Sequence, residues 1–149
     1  MLARTPPLVL TAPELFADEH AMQEACTTML TPLLLPEVTW TAIDHGHSFD
    51  KRKGRHGVEI GFLEARKRKR RGVKPGIPDY LFWHEGDAFA IELKMPDGTL
   101  SDDQRDMLKA LIRSGVLCRV CYSTNLVLLT CQEWSLLRGV HFGHNGPPA

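Results

Sequence analysis

A small α/β domain, in which a mixed central sheet is flanked by helices, is the fold this sequence predicts. Three observations lead there. Two apolar, strand-like runs, Tyr80-Leu81-Phe82-Trp83 and Ala88-Phe89-Ala90-Ile91, lie close enough to pair as an antiparallel hairpin. A capped helix from Ser101 and a β-branched run ending at Tyr122 follow them, and a strand–helix–strand unit implies a parallel pair. A helix and one more strand precede them, so the order reads α-β-(basic helix)-β-β-α-β-α. The 149 residues suit one domain with a core of its own.

In order along the chain, residues 1–10 are expected to form a loose arm, 11–137 the domain, and 138–149 a tail. Thr11 with Glu14 three residues on reads as a capping box. The helix it opens is expected to run to about Leu30, where Pro32 and Pro36 stop it. Leu15, Met22, Cys26 and Met29 are its buried stripe. Glu19 falls on that stripe and Glu24 on the far side. A carboxylate aimed inward is costly unless something pairs with it. Glu19 therefore either reaches solvent from the stripe's edge or serves a site, with Glu24 as its competitor.

Val38–Ile43 alternates as a strand, and a Gly- and charge-rich loop is expected from Asp44 to about Gly57. Glu59–Arg71 is expected to be a thinly packed helix with a basic face, few apolar positions (Ile60, Phe62, Leu63), and an end at Gly72 and Pro75-Gly76. Pro96-Asp97-Gly98 is turn chemistry. Ser101 and Gln104 form a second capping box, before a helix with Leu108, Leu111 and Ile112 inside and Gly115 at its end. Gln104 shares the face of Leu108 and Leu111. Val116–Tyr122 is a strand. Residues 123–137 suit strand or helix equally.

Composition narrows the function classes. No segment reaches the length of a transmembrane span, and Met1–Pro7 lacks the pattern of a secretory signal, so the expectation is a cytoplasmic protein with no membrane partner. Four cysteines make no disulfide scaffold. Cys118 and Cys121 have CxxC spacing but lie on a strand, where residues three apart face opposite sides; buried thiols are expected rather than zinc or redox chemistry. His45 and His47, in a loop, and His141 and His144, near the end, read as surface or loop residues.

Eighteen basic and eighteen acidic residues cancel, but they are segregated. Lys51, Arg52, Lys53, Arg55, Arg66, Lys67, Arg68, Lys69, Arg70, Arg71 and Lys74 face only Glu59 and Glu64 within their segment, which leaves it near +9 and the remainder near −9. A cationic stretch of this kind suits the phosphates of DNA.

That stretch leads into Gly76-Ile77-Pro78-Asp79, and Ile91-Glu92-Leu93-Lys94 follows. Strand alternation puts Glu92 and Lys94 on one side, and hairpin pairing brings Asp79 beside Glu92. Carboxylates so close repel unless a cation lies between them, and oxygen ligands suit Mg²⁺ or Mn²⁺. The spacing resembles the PD-(D/E)XK nuclease signature. Glu19-His20-Ala21-Met22-Gln23, Gly72–Leu81, and Ile91–Pro96 followed by Gly98, Leu100-Ser101 and Gln104 together resemble, more specifically, a stand-alone VRR-NUC domain over about Glu19–Trp134.

That resemblance implies a restriction-endonuclease-like fold and divalent-metal-dependent cleavage of DNA. Glu19, Asp79 and Glu92 would be its acidic residues, Leu93 would offer a backbone carbonyl to the metal, Lys94 would be the catalytic lysine, and Gln104 an auxiliary residue. Stand-alone members are similar to Holliday-junction resolvases acting as homodimers on branched DNA. The expected reaction is in-line attack of a metal-activated water on a phosphodiester, with no small-molecule cofactor. The segment Glu64–Arg71 is more highly charged than in many relatives. A flap, nicking or exonuclease activity from the same site is the nearest alternative; a non-catalytic DNA-binding module is the alternative from another class. Trp134, Leu136, Leu137, Val140 and Phe142 either form a dimer surface or cap the domain's own core.

Overall fold

The computed structural model describes residues 15–45 and 54–139, with side chains from residue 61 onward in the second segment. The elements are α1 (Glu19–Leu33), β1 (Thr39–Ala42), α2 (Gly54–Arg70), β2 (Tyr80–His84), β3 (Asp87–Leu93), α3 (Asp102–Arg113), β4 (Leu117–Cys121) and α4 (Thr124–Glu133). Among the described residues they form one four-stranded sheet in the order β1-β2-β3-β4. β1 and β2 are antiparallel, β2 and β3 are antiparallel, and β3 and β4 are parallel. The expected mixed sheet is therefore present. Among the described residues no helix is long and apolar enough to cross a membrane.

Strand alternation sorts the layers. Tyr80, Phe82, Phe89, Ile91 and Leu93 point to one face, where they pack with Met22, Cys26 and Leu30 of α1 and Val127 and Cys131 of α4. Trp40 and Tyr80 each stack with Phe82, and Trp40 and Tyr80 meet at a tilt, across β1 and β2 in the same layer. Ala90 and Glu92 point the other way, toward α3, whose Leu108 is buried. Because β3 is covered on both faces, its side chains from Phe89 to Leu93 are all buried. That explains its nearly unbroken apolar run.

Several expectations need correction. α1 begins at Glu19, with Asp18 as N-cap accepting from the Ala21 N–H at 2.9 Å. Leu15 lies ahead of the helix and is 95% exposed, so it is no part of the buried stripe. Thr11 and Glu14 lie outside the described residues. α1 also runs through Pro32, losing one intrahelical donor, while the Leu34 N–H still reaches the Leu30 carbonyl at 2.9 Å. α2 starts at Gly54 rather than Glu59, inside the glycine-containing stretch expected to be loop. Ile112 is exposed rather than inside. The last turn of α3 leads into the start of β4, where Leu117 is exposed too, so this end of the layer is open to solvent.

The stretch 123–137 resolves as helix α4, N-capped by the Ser123 hydroxyl. Beyond it, Leu136 is fully buried, Leu137 packs on the core, and Trp134 packs against Phe89 in a tilted pair with ring centroids 5.1 Å apart. These three cap the domain's own core, while Val140 and Phe142 lie outside the described residues. Cys118 and Cys121 sit on opposite faces of β4 as free thiols, Cys121 buried and Cys118 half-buried. Burial raises the pKa of both thiols, which keeps them protonated.

Candidate active site

The site is built where β3 ends. The Tyr80↔Ile91 pairing, extended by one residue, sets Asp79 across from Glu92. The Asp79 Oδ2 accepts the buried Leu93 N–H at 2.7 Å, which fixes the carboxylate on the strand end. The Leu93 side chain is in the core, so only its backbone faces this region. Lys94 leaves the strand next and is 5% exposed. Its Nζ lies 3.1 Å from Glu92 Oε1 and 3.2 Å from both oxygens of Glu19. One ammonium thus joins the N-terminus of α1 to the end of β3. Glu24 is solvent-exposed.

α3 supplies the opposite wall. The Ser101 hydroxyl accepts the Gln104 N–H, and Gln104 Oε1 accepts the Ser101 N–H at 3.0 Å, completing the capping box. With its oxygen committed to the cap, Gln104 turns its Nε2 to Glu92 Oε1 and donates to it. The Glu92 Oε2 is buried and has no hydrogen-bond partner among the described residues. Gly76 brings the preceding loop onto the helix start. It adopts φ +78°, and a Cβ there would stand 2.3 Å from the Asp103 carbonyl oxygen. Gly76→Ala is therefore expected to lower stability by about 2 kcal/mol or more, read as a fall in urea midpoint at unchanged slope.

Two residues to which the sequence assigned no role here join the site: His45, read as a loop residue, and Gln23, read only as part of the opening-helix motif. His45 Nε2 lies 3.2 Å from Asp79 Oδ1. Gln23 Nε2 donates to the carbonyls of Asp79 (3.3 Å) and Ile43 (3.4 Å), clamping α1 to the strand ends. The Tyr80 hydroxyl makes a parallel tie to the Gln23 carbonyl at 2.6 Å and the Thr27 hydroxyl at 2.7 Å. His45 follows β1 by three residues. Only the antiparallel pairing of β1 with β2 shows that the end of β1 meets Asp79. Glu19, His20, Gln23, His45, Asp79, Glu92 and Gln104 together line a cleft of about 330 Å³.

Electrostatics in the cleft are strained. Burial pushes the Glu92 carboxyl up to about 7, with the nearby Asp79 charge adding to the rise and the Lys94 pair opposing it. Burial alone would lower the Lys94 pKa, but its hydrogen bonds to Glu92 and Glu19 raise it on balance, so this lysine stays cationic. The hydrogen bond to Asp79 raises the pKa of His45 against the effect of its burial. Among the described residues no three His, Cys, Asp or Glu form a ready-made cation cage. Lys94, Gln104, His45 and the Leu93 N–H engage the oxygens of these carboxylates, apart from Glu92 Oε2.

The cations sort by position. Arg66, Lys67, Lys69, Arg70, Arg71 and Lys74 are exposed, with Lys67 paired to Glu64 at 2.9 Å. Arg68 differs: its guanidinium donates to the His45 carbonyl at 2.9 Å, tying α2 to the rim of the cleft. Lys51, Arg52 and Lys53, the Arg55 side chain, His47, His141 and His144 lie outside the described residues.

No curated protein and no solved structure matches the chain. A family model does: the VRR-NUC domain matches residues 19–125, from the glutamate that opens α1 through Asp79, Glu92, Lys94 and Gln104 to the first turn of α4. With well over half its length matched and a mixed sheet flanked by helices, the chain belongs to the VRR-NUC domain family, nucleases of restriction-endonuclease-like fold that act on DNA.

Proposed function

We propose that the chain is a divalent-metal-dependent DNA endonuclease selecting DNA structure rather than sequence, and that its substrate is a four-way junction cut by a homodimer. The observation that carries the catalytic part is the meeting of Glu19, Asp79 and Glu92 in one cleft, with Lys94 paired to Glu19 and Glu92 and with the Glu92 Oε2 buried and unpartnered among the described residues. A buried oxygen with no donor, beside a second carboxylate that raises its pKa, suits an oxygen-preferring cation. Asp79 and Glu92 would hold Mg²⁺ or Mn²⁺, with the Leu93 carbonyl and Glu19 as further ligands. Such an ion supplies Lewis-acid polarisation of the phosphate and a lowered pKa for water.

The remaining roles belong to the protein's own groups. Lys94, held cationic by two carboxylates, orients the attacking water and offsets charge on the phosphate. Gln104 fixes the rotamer of Glu92, and the Leu93 N–H fixes that of Asp79. The exposed cations of α2 bind phosphates, which sets DNA position without reading bases.

Replacing Arg66, Lys69 and Arg70 by Ala is expected to flatten the slope of log affinity against log salt by about 2.7 units, at about 0.9 per lost phosphate contact. Arg68 is left out because its guanidinium is committed to His45. An unchanged slope would put the DNA elsewhere.

The junction and dimer part rests on the need for two symmetric nicks, which a two-fold pair of single-site chains supplies. A flap or nicking activity from the same cleft is the second reading. It gains from Trp134, Leu136 and Leu137, which serve the core and leave less apolar surface for a partner. A panel of labelled junction, flap, nicked, duplex and single-stranded DNAs with Mg²⁺ or Mn²⁺, run beside light scattering, decides. A dimer that prefers junctions supports the first reading, and a strict monomer that prefers flaps supports the second. No cleavage of any DNA with either metal would overturn both.

A further inference from the structure

α2 has two different faces. Arg68 and Gly61 are seven residues apart and so share one face. That face is the docked one: Gly61 is buried, and Arg68 is bonded to the His45 carbonyl. Phe62, Arg66 and Lys69 follow i, i+4, i+7 spacing on a different face, turned well away from it. Leu63 and Arg70 flank them. Phe62 is 68% exposed and Leu63 is 55% exposed. An aromatic ring held in water amid like cations does nothing for the core, and the core residues do not include it.

We propose that Phe62, supported by Leu63, is a stacking platform for an unpaired base of the DNA substrate, with Arg66, Lys69 and Arg70 holding the phosphates beside it. The chemistry fits this occupant. A ring face accepts any base, flanking cations neutralise the strand, and the two together bind single-stranded segments without sequence preference. A second copy of the chain is the less suitable occupant. A two-fold contact would set this face against itself, bringing Arg66, Lys69 and Arg70 against their own equivalents. The cleft lies at the other end of the Arg68 tie, so a base held on Phe62 would set a branch or frayed end at a fixed distance from the cut. The inference deepens the DNA-nuclease reading and depends on it.

The test uses the full chain without divalent metal, so that no cleavage intervenes. Affinity is measured for a paired duplex and for the same duplex carrying a single-stranded overhang with 2-aminopurine at the branch. Phe62→Ala is expected to weaken binding to the overhang DNA about tenfold and to leave the paired duplex within about twofold. Phe62→Trp should restore the overhang affinity and keep the 2-aminopurine quenching seen with the wild type. Equal losses on both DNAs, or no loss on either, would overturn the proposal. So would a Phe62→Ala protein that changes only its sedimentation and not its DNA binding, since that outcome gives the face to a second copy. A wild-type protein that binds and cuts DNA while Phe62→Ala behaves normally would sink this inference and leave the nuclease reading intact. Failure of the wild type to bind either DNA would remove both.

Discussion

Asp79→Asn is expected to lower DNA cleavage on the order of 10³-fold or more while the protein stays folded. Asparagine keeps an oxygen for the buried Leu93 N–H, which Asp79 now accepts at 2.7 Å, so the strand end retains its anchor. What disappears is the negative charge that faces Glu92 and would attract a cation. Asp79→Ala should lose as much activity and also about 1–3 kcal/mol of stability, because the Leu93 donor is left buried and unpaired. Glu92→Ala and Lys94→Ala are expected to abolish cleavage as well. Glu19→Gln should cost far more activity than Glu24→Gln, because Glu19 meets Lys94 at 3.2 Å whereas Glu24 faces solvent. Single-turnover cleavage beside far-UV circular dichroism separates loss of chemistry from loss of fold. Near-normal cleavage by Asp79→Asn or Glu92→Ala would remove the candidate site.

The second large effect is on stability. The folded protein holds the Glu92 proton more tightly than the unfolded chain does, at about 7 against an ordinary value of 4.5. The sign follows from linkage. Below about pH 4.5 the group is neutral in both states and costs nothing. Between about pH 4.5 and 7 the unfolded chain has released this proton while the folded protein still holds it, so stability falls across this window and levels off above about 7, where both states are ionised. The shift corresponds to about 3 kcal/mol.

Glu92→Gln should therefore be the more stable protein in metal-free buffer at pH 8. The expected gain is about 1–2 kcal/mol, or several degrees in Tm, after allowing for the ion pair lost to Lys94. The gain should vanish near pH 4.5. Added Mg²⁺ or Mn²⁺ should raise the Tm of the wild type by binding the folded state, and should have little effect on Glu92→Gln. Thermal melts at both pH values, with and without metal, check this without any activity assay. A Glu92→Gln protein less stable than the wild type at pH 8 would show that the Lys94–Glu92 attraction outweighs the burial of the carboxylate.

Much of the site was legible because its parts are local. Asp79, Glu92, Lys94 and Gln104 sit at strand ends and a helix cap, where alternation and capping chemistry fix which way a side chain leaves the backbone. Glu19 was legible from its phase with Met22 and Cys26, even though the helix starts eight residues later than its apparent cap at Thr11. His45 was not, and Gln23 was legible as part of the opening-helix motif but not for the contact it makes. His45 reads as a loop residue, and its place beside Asp79 exists only because β1 pairs with β2. Gln23 acts on the carbonyls of residues 20 and 56 positions away.

By itself, then, the sequence determined the elements that have short-range signatures. These are the hairpin, the capped helix α3, the parallel strand after it, the carboxylate–lysine motif and the segregation of charge. Tertiary structure decided everything that depends on which surface meets which. It left Leu15 exposed ahead of α1, opened the last turn of α3 to water, and turned the ambiguous stretch after Ser123 into a helix by giving Val127 and Cys131 a core to fill. It also docked one face of the cationic helix through Arg68 and left Phe62 and Leu63 exposed on another among the described residues. The physical reason is range. Capping, alternation and charge act over a few residues, whereas burial depends on partners distant in the chain, and no local pattern says which face another segment will cover.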